Sequence, residues 1–183
     1  FLSTGISTIN EIRQCLKILL SGRVRLNDIY ILHCNSSYPT KFNELNLNNI
    51  TTLQNNFKCS IGFSDHSIGI EGSIAAVALG ARVVEKHFTI DKSLSGPDQK
   101  ISLTPSELKL MVASIRNIEK SLGSFKKIPT KNELKNKVHI RKSIVAKINI
   151  LKNEFFTLEN ITTKRPGNGI SPMLWNKVLG KKA

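Results

Sequence analysis

The sequence predicts an α/β fold built on a parallel sheet, and three observations carry that expectation. Short apolar runs at 29–34, 60–63 and 82–85, with a first strand already under way at Phe1-Leu2-Ser3, alternate with stretches of helical periodicity. The bodies of these runs are apolar, as they are when a parallel strand is covered on both faces. Polar groups collect at their carboxyl ends: Ser3-Thr4-Gly5, His33-Cys34-Asn35-Ser36-Ser37-Tyr38, Ser64-Asp65-His66 and Glu85-Lys86-His87. Parallel α/β folds keep their active sites at that end of the sheet. Four βα units can be half of an eight-stranded barrel or most of an open doubly wound sheet. No Gly-rich phosphate loop follows any run, which weakens the nucleotide-binding version.

Each helix has a local reason to form. The first opens on a Thr8/Glu11 capping box, carries Ile9, Ile12, Leu16 and Leu19 on one face, and meets a stop at Gly22. A second pattern holds Leu47, Ile50, Leu53 and Phe57. The third, Ile70 to Leu79, is rich in small residues (Gly72, Ser73, Ala75, Ala76, Ala78), which suits close packing on a sheet, and Gly80 should end it. The fourth takes Thr104 as N-cap, Pro105 at its first position and Glu107 to complete the box. Its apolar stripe runs Leu108, Met111, Val112, Ile115, Ile118 and Leu122, closed by Gly123. Residues 124–142 are polar and Lys-rich and read as a linker with some helical character. From Ser143 the texture becomes β-rich, with short strands expected at 143–146 and at Phe155-Phe156-Thr157, so a small second domain is expected over 143–183. Arg165-Pro166-Gly167-Asn168-Gly169 reads as a rigid, glycine-flanked loop.

The chain has 183 residues and a net charge of +14. Residues 1–100 hold 10 Lys/Arg against 8 Asp/Glu, and residues 101–183 hold 17 against 5. That excess could attract an anion. The basic residues are scattered without interleaved aromatics, so a solvated surface is favoured over nucleic-acid binding. No apolar run is long enough to span a bilayer and no signal peptide is present, so no membrane association is expected. Cys15, Cys34 and Cys59 are odd in number and lack metal or disulfide spacing, which fits a reducing cytoplasm. The opening on Phe1 and the stop at Lys181-Lys182-Ala183 read as a piece of a longer protein.

Among candidate chemical groups, His66 and His87 come first. A lone histidine at a strand end is usually a hydrogen-bonded structural residue. Two at equivalent ends of neighbouring strands, beside Asp65 and Glu85, could bind a divalent ion with positions left for water and substrate. Glu85 lies two residues before His87 and shares its face, where it could orient a ligand or accept a proton. The plainer reading of Glu85 is a carboxylate paired with Lys86 or Arg82, although Lys86 should point to the opposite face. Asp98, in the turn Gly96-Pro97-Asp98 after the fourth strand, is either an ordinary turn aspartate or a carboxylate presented to the site. Asn35, Ser36, Ser37 and Tyr38 could hold phosphate or sugar oxygens, or form a turn. A metal-dependent hydrolase on a barrel, or a basic anion- or carbohydrate-binding module, remain open alternatives. The hydrolase would want further ligands, and neither His33 nor His139 is an obvious one.

Taken together and in order, Ser3-Thr4-Gly5, His33 through Thr40, Gly62-Phe63-Ser64-Asp65-His66, Ala75 through Ala81, Glu85-Lys86-His87-Phe88-Thr89, Gly96-Pro97-Asp98 and Lys164 through Pro172 resemble the sialic acid synthase family, the phosphoenolpyruvate-condensing nonulosonate synthases. The resemblance implies a TIM-type (β/α)₈ barrel, of which residues 1–123 would be the last four βα units. It also implies a linker at 124–142 and the start of an antifreeze-like (SAF) domain at 143–183. It implies His66 and His87 as ligands of Mn²⁺ or Mg²⁺, and Glu85 and Asp98 as acidic groups at the reacting sugar. Ser64, with Asn35 or Ser36, would contact phosphate, and Tyr38 would contact the sugar. Arg165 would reach the sugar's N-acyl group across a domain-swapped homodimer. Gln99 stands where many members carry His. The implied reaction is condensation of phosphoenolpyruvate with an N-acetylmannosamine-type sugar, and this fragment alone is not expected to perform it. The Lys164-Arg165-Pro166-Gly167 loop leans away from the pseudaminic branch.

Overall fold

A computed structural model describes residues 1–183, which divide into two units, Phe1–Gly123 and Ser124–Ala183. In the first unit β1 (Leu2–Ser3), β2 (Tyr30–Cys34), β3 (Ser60–Asp65) and β4 (Val84–Lys86) form one parallel sheet in the order β1-β2-β3-β4. Helices α1 (Ile9–Ser21), α2 (Asn48–Asn56), α3 (Glu71–Ala78) and α4 (Pro105–Leu122) follow the strands in turn. The α/β alternation expected from the sequence is therefore the observed one. Strand β3 keeps its predicted start and extends to Asp65, and β4 is shifted toward the C-terminus from the predicted run, because Ser64, Asp65 and Lys86 join the ladder.

The local signals act as expected. The Thr8 and Thr104 N–H groups donate to the carboxylates of Glu11 and Glu107 at 2.7 and 2.8 Å, and both capping boxes are complete. One face of the sheet is covered by helices. Ile12 and Leu16 of α1 and Ile50 and Leu53 of α2 pack with Ile31, Ile61 and Phe63 of the strands in one buried cluster. A second cluster joins Val77 of α3 to Met111 and Ile115 of α4 and to Leu103. After β4 the chain leaves the sheet and returns so that Leu103 lies beside Phe88: the Leu103 N–H donates to the His87 carbonyl at 2.8 Å, and the Thr89 N–H to the Leu103 carbonyl at 2.9 Å. The excursion that carries Asp98 is thus pinned at both ends. Lys92 adds a 2.7 Å ion pair to Glu107, whose carboxyl this lysine and the Thr104 N–H hold down at about 2.

In the second unit, 124–142 has the helical character expected of it. It carries α5 (Lys131–Ile140), which has its own capping box of Thr130 and Glu133. The Arg165 Nε–H and the Gly167 N–H donate to the carbonyls of Ile140 and Val138, tying α5 to the loop around Pro166. Strand β5 (Ser143–Ala146) lies where it is expected and pairs antiparallel with β6 (Ile161–Lys164), while the short strand expected at Phe155-Phe156-Thr157 does not form. The β-branched Ile161, Thr162 and Thr163 suit that ladder. Residues 154–156 instead pair with the last few residues, through the Phe156 N–H to the Lys181 carbonyl and the Ala183 N–H to the Glu154 carbonyl. No helix is long and apolar enough to cross a membrane.

Candidate active site

Register brings the polar strand ends into one row. Cys34 pairs with Ser64, and Ser64 with Glu85, so all three side chains leave the sheet on the face opposite the helix-covered core. Gly62, on the same face, is required by crowding: a Cβ there would meet the Val83 carbonyl oxygen at 2.7 Å and Leu32 Cδ2 at 2.5 Å. The Ser64 hydroxyl donates to Glu85 Oε1 at 2.6 Å, and no lysine or arginine pairs with Glu85. Neither Arg82 nor Lys86 therefore explains that carboxylate.

His66 and His87 come directly after β3 and β4, with ring centres 5.3 Å apart and the rings edge-on at 77°. His66 is 7% exposed. Its Nδ1 lies 2.6 Å from the Asn35 carbonyl oxygen, which can only accept, so Nδ1 carries a hydrogen and, in the neutral ring, Nε2 keeps a lone pair. Nε2 faces Ser64 Oγ at 3.4 Å, and the Ser64 hydrogen is already given to Glu85. Two lone pairs thus face one another, an arrangement that a proton or a metal ion relieves. His87 Nδ1 lies 3.6 Å from Asp98 Oδ2, too long for a direct hydrogen bond but close enough for the carboxylate to orient the ring. One ion about 2.1 Å from a nitrogen of each ring needs ring centres roughly 5 Å apart, a condition that the 5.3 Å separation meets. No group of three His, Cys, Asp or Glu converges to hold a metal by itself, so the remaining coordination would come from water or substrate.

The loop after β2 closes over this pair. The Thr40 N–H donates to the His66 carbonyl at 2.9 Å. The Tyr38 ring, 55% exposed, lies 4.1 Å from the His66 ring and 5.8 Å from that of His87. Asn35 spends one amide hydrogen on the Glu44 carbonyl at 2.9 Å, while its Oδ1 is buried without a donor. Ser36 is exposed and sits against Gly5. Of the sequence-nominated residues, the fold collects Ser64, Glu85, His66, His87, Asp98, Tyr38 and Asn35 around one end of the sheet. Arg165 belongs to the second unit. His33 is on the helix-covered face, stacked on Phe63 at 5.7 Å with its Nε2 at 2.7 Å from the Leu45 carbonyl, so it is no ligand.

Sequence reasoning missed two features. Cys34 Sγ stands 4.0 Å from His66 Nδ1, and burial pushes its thiol up in pKa. Its place at the end of β2, one strand from Ser64, was the available signal. The other is a buried ion pair of Asp65 and Lys86, 3.1 Å apart, behind the histidines. Lys86 points away from Glu85, as its parity predicts, but its partner depends on strand register, which is not visible in sequence.

N,N'-diacetyllegionaminic acid synthase of Campylobacter jejuni is 50% identical over 182 residues, 100% of this chain and 54% of that protein. A pseudaminic acid synthase of the same species is 41% identical over 99% of this chain and 52% of its own length. The crystal structure of N-acetylneuraminic acid synthetase from Leptospira borgpetersenii, in complex with citrate, superposes with a TM-score of 0.67 at 39% identity, covering 74% of this chain and 46% of that one. The chain spans about half the length of the curated relatives it matches. The NeuB family model matches residues 1–127, and with these relatives it shows that the chain belongs to the NeuB family.

Proposed function

We propose that the intact protein condenses phosphoenolpyruvate with an N-acylated mannosamine-type sugar to give a nonulosonic acid and phosphate. The observation that carries this reading is the His66–His87 pair, 5.3 Å apart at the ends of neighbouring parallel strands, with each Nδ1 facing an oxygen and acidic groups on either side. The synthase names of the relatives supply the reaction class.

A divalent ion held by the two imidazoles would supply Lewis-acid polarisation of the open-chain sugar's aldehyde. Nitrogen donors favour Mn²⁺ over the harder Mg²⁺. The chain's own residues orient the rest. Asp98 aligns His87, and Tyr38 offers an exposed aromatic face and a hydroxyl to the sugar. Glu85 is the acidic group that handles protons at the reacting sugar, with Ser64 supporting its charge by donating a hydrogen bond. Ser64 can turn from Glu85 to a phosphate oxygen when substrate arrives, joined by Asn35 or Ser36. The condensation joins C3 of phosphoenolpyruvate to the aldehyde carbon, whose oxygen takes up a proton; water adds at C2 and gives up a proton, and phosphate leaves by C–O cleavage. Aligning two substrates is itself worth on the order of 7–11 kcal/mol in favourable cases.

The sheet of the first unit would complete a (β/α)₈ barrel with residues of the intact protein. The second unit would begin an antifreeze-like domain whose Arg165 contacts the N-acyl group in the partner's site of a cytoplasmic homodimer. The test is phosphate release from phosphoenolpyruvate by the full-length protein. Turnover should require both Mn²⁺ and an N-acyl hexosamine, and the 50% identical relative puts the 2,4-diacetamido sugar first in the panel, ahead of N-acetylmannosamine. Turnover that survives chelation, or none with any such sugar, overturns the reading.

A further inference from the structure

We infer that the buried Asp65–Lys86 ion pair, on the helix-covered face of the sheet, sets the spacing of the His66 and His87 rings on the other face. The functional meaning of that spacing rests on reading the two rings as a metal-binding pair. The geometry itself does not depend on that reading.

Asp65 and Lys86 are direct register partners across β3 and β4, and each immediately precedes one of the histidines. Their side chains are 0% and 4% exposed. The Asp65 carboxylate is fully used. Its Oδ1 accepts from the Ser67 N–H at 2.8 Å and the Ser67 hydroxyl at 2.6 Å. Its Oδ2 accepts from the Ser73 hydroxyl of α3 at 2.6 Å and lies 3.1 Å from Lys86 Nζ. Lys86 Nζ also donates to the Ser67 carbonyl. His66 is therefore the middle residue of a three-residue segment, 65–67, whose two ends are held by one carboxylate and one ammonium. The same ammonium is the anchor of the residue before His87.

A buried ion pair is a poor way to gain stability, since an apolar pair of similar volume packs as well. An apolar pair cannot hold the Ser67 N–H and carbonyl, and so cannot fix the direction in which His66 leaves the strand. Groups behind metal-ligating histidines typically change metal affinity 10- to 100-fold when altered. Asp65 and Lys86 are positioning residues in this sense: they touch neither substrate nor ion.

The test uses the full-length protein with Asp65→Asn and Lys86→Met combined, so that no unpaired charge is left buried. The crystal structure of the metal-free double variant should show the His66 and His87 rings displaced from their 5.3 Å separation or lacking one position. Its Mn²⁺ affinity, read by electron paramagnetic resonance, should fall at least 10-fold while its thermal unfolding stays cooperative. A folded double variant with the native ring separation overturns the inference, whatever the metal result. The metal reading fails separately, if wild type and His66→Ala/His87→Ala bind Mn²⁺ equally. Should the double variant not fold, Lys86→Met alone, which takes the ammonium from the Asp65 carboxylate and the Ser67 carbonyl while Ser67 and Ser73 still donate to Asp65, decides the matter: displaced rings support the inference, and unmoved ones overturn it.

Discussion

On the helix-covered side of the sheet, Ile31, Ile61 and Phe63 are sealed among helical side chains, and the polar groups there, Asp65, Lys86 and His33, each have a partner. One residue along each strand, on the other side, Cys34, Ser64 and Glu85 form a polar row with Glu85 open to solvent. The same strands build both, because the side-chain period of a strand is two. The first face gains stability from burial and complete pairing. The second keeps groups under-paired: a lone pair on His66 Nε2, the long His87–Asp98 contact, the unmatched Asn35 Oδ1. Unmatched groups of that kind belong where a ligand is to complete them.

Two substitutions should separate the faces. Phe63→Ala empties a fully buried site and is expected to cost about 3–5 kcal/mol of unfolding free energy in a urea titration of the full-length protein. Glu85→Gln should leave that titration within about 0.5 kcal/mol of wild type while lowering kcat roughly 10²- to 10⁴-fold. If Glu85→Gln instead shifts the unfolding midpoint and spares kcat, the division of labour between the faces is wrong. Gly62→Ala comes next. The new methyl would press on the Val83 carbonyl, and overpacking of this kind costs roughly 1–3 kcal/mol. Because Gly62 is on the same face as Ser64, kcat should fall with it. Thr104→Ala is smaller, about 1 kcal/mol of stability for the lost cap, with steady-state kinetics close to wild type.

Legibility in the sequence follows the range of the interaction. The capping boxes at Thr8 and Thr104 are three-residue features and act as read. The third box, Thr130 with Glu133, has the same spelling, but the surrounding lysines suggested a linker with only some helical character, and the box that starts α5 was not read. Its spacing was a sufficient signal. Residues at strand ends were also legible, since apolar runs stop where polar groups start. Which residue faces which across the sheet was not. The Ser64–Glu85 bond and the Asp65–Lys86 pair depend on register between segments about 20 residues apart, and β6 pairs with β5 across an intervening turn. Phe155 and Phe156 have strand propensity, yet their backbone pairs with the last residues of the chain, a partner that propensity cannot indicate.

The smallest effect expected concerns pH and belongs to the helix-covered face. Burial lowers the pKa of His33 below its ordinary 6.5, and the hydrogen bond to the Leu45 carbonyl offsets that only in part. The unfolded chain then takes up a proton at a higher pH than the folded one, so this residue's contribution to stability grows with pH. It is complete above about 6.5 and is lost as pH falls through the folded value. The window is distinct from that of Glu107, whose carboxyl, held at about 2, acts below 4.5. His33→Gln removes the titration and keeps an amide hydrogen for the Leu45 carbonyl. Urea midpoints of wild type and variant, measured from pH 7.5 to pH 5, should therefore diverge: the wild type loses stability on acidification more steeply than the variant. His66, His87 and His139 are common to both proteins, so parallel slopes would mean that His33 is not the buried neutral imidazole this face requires.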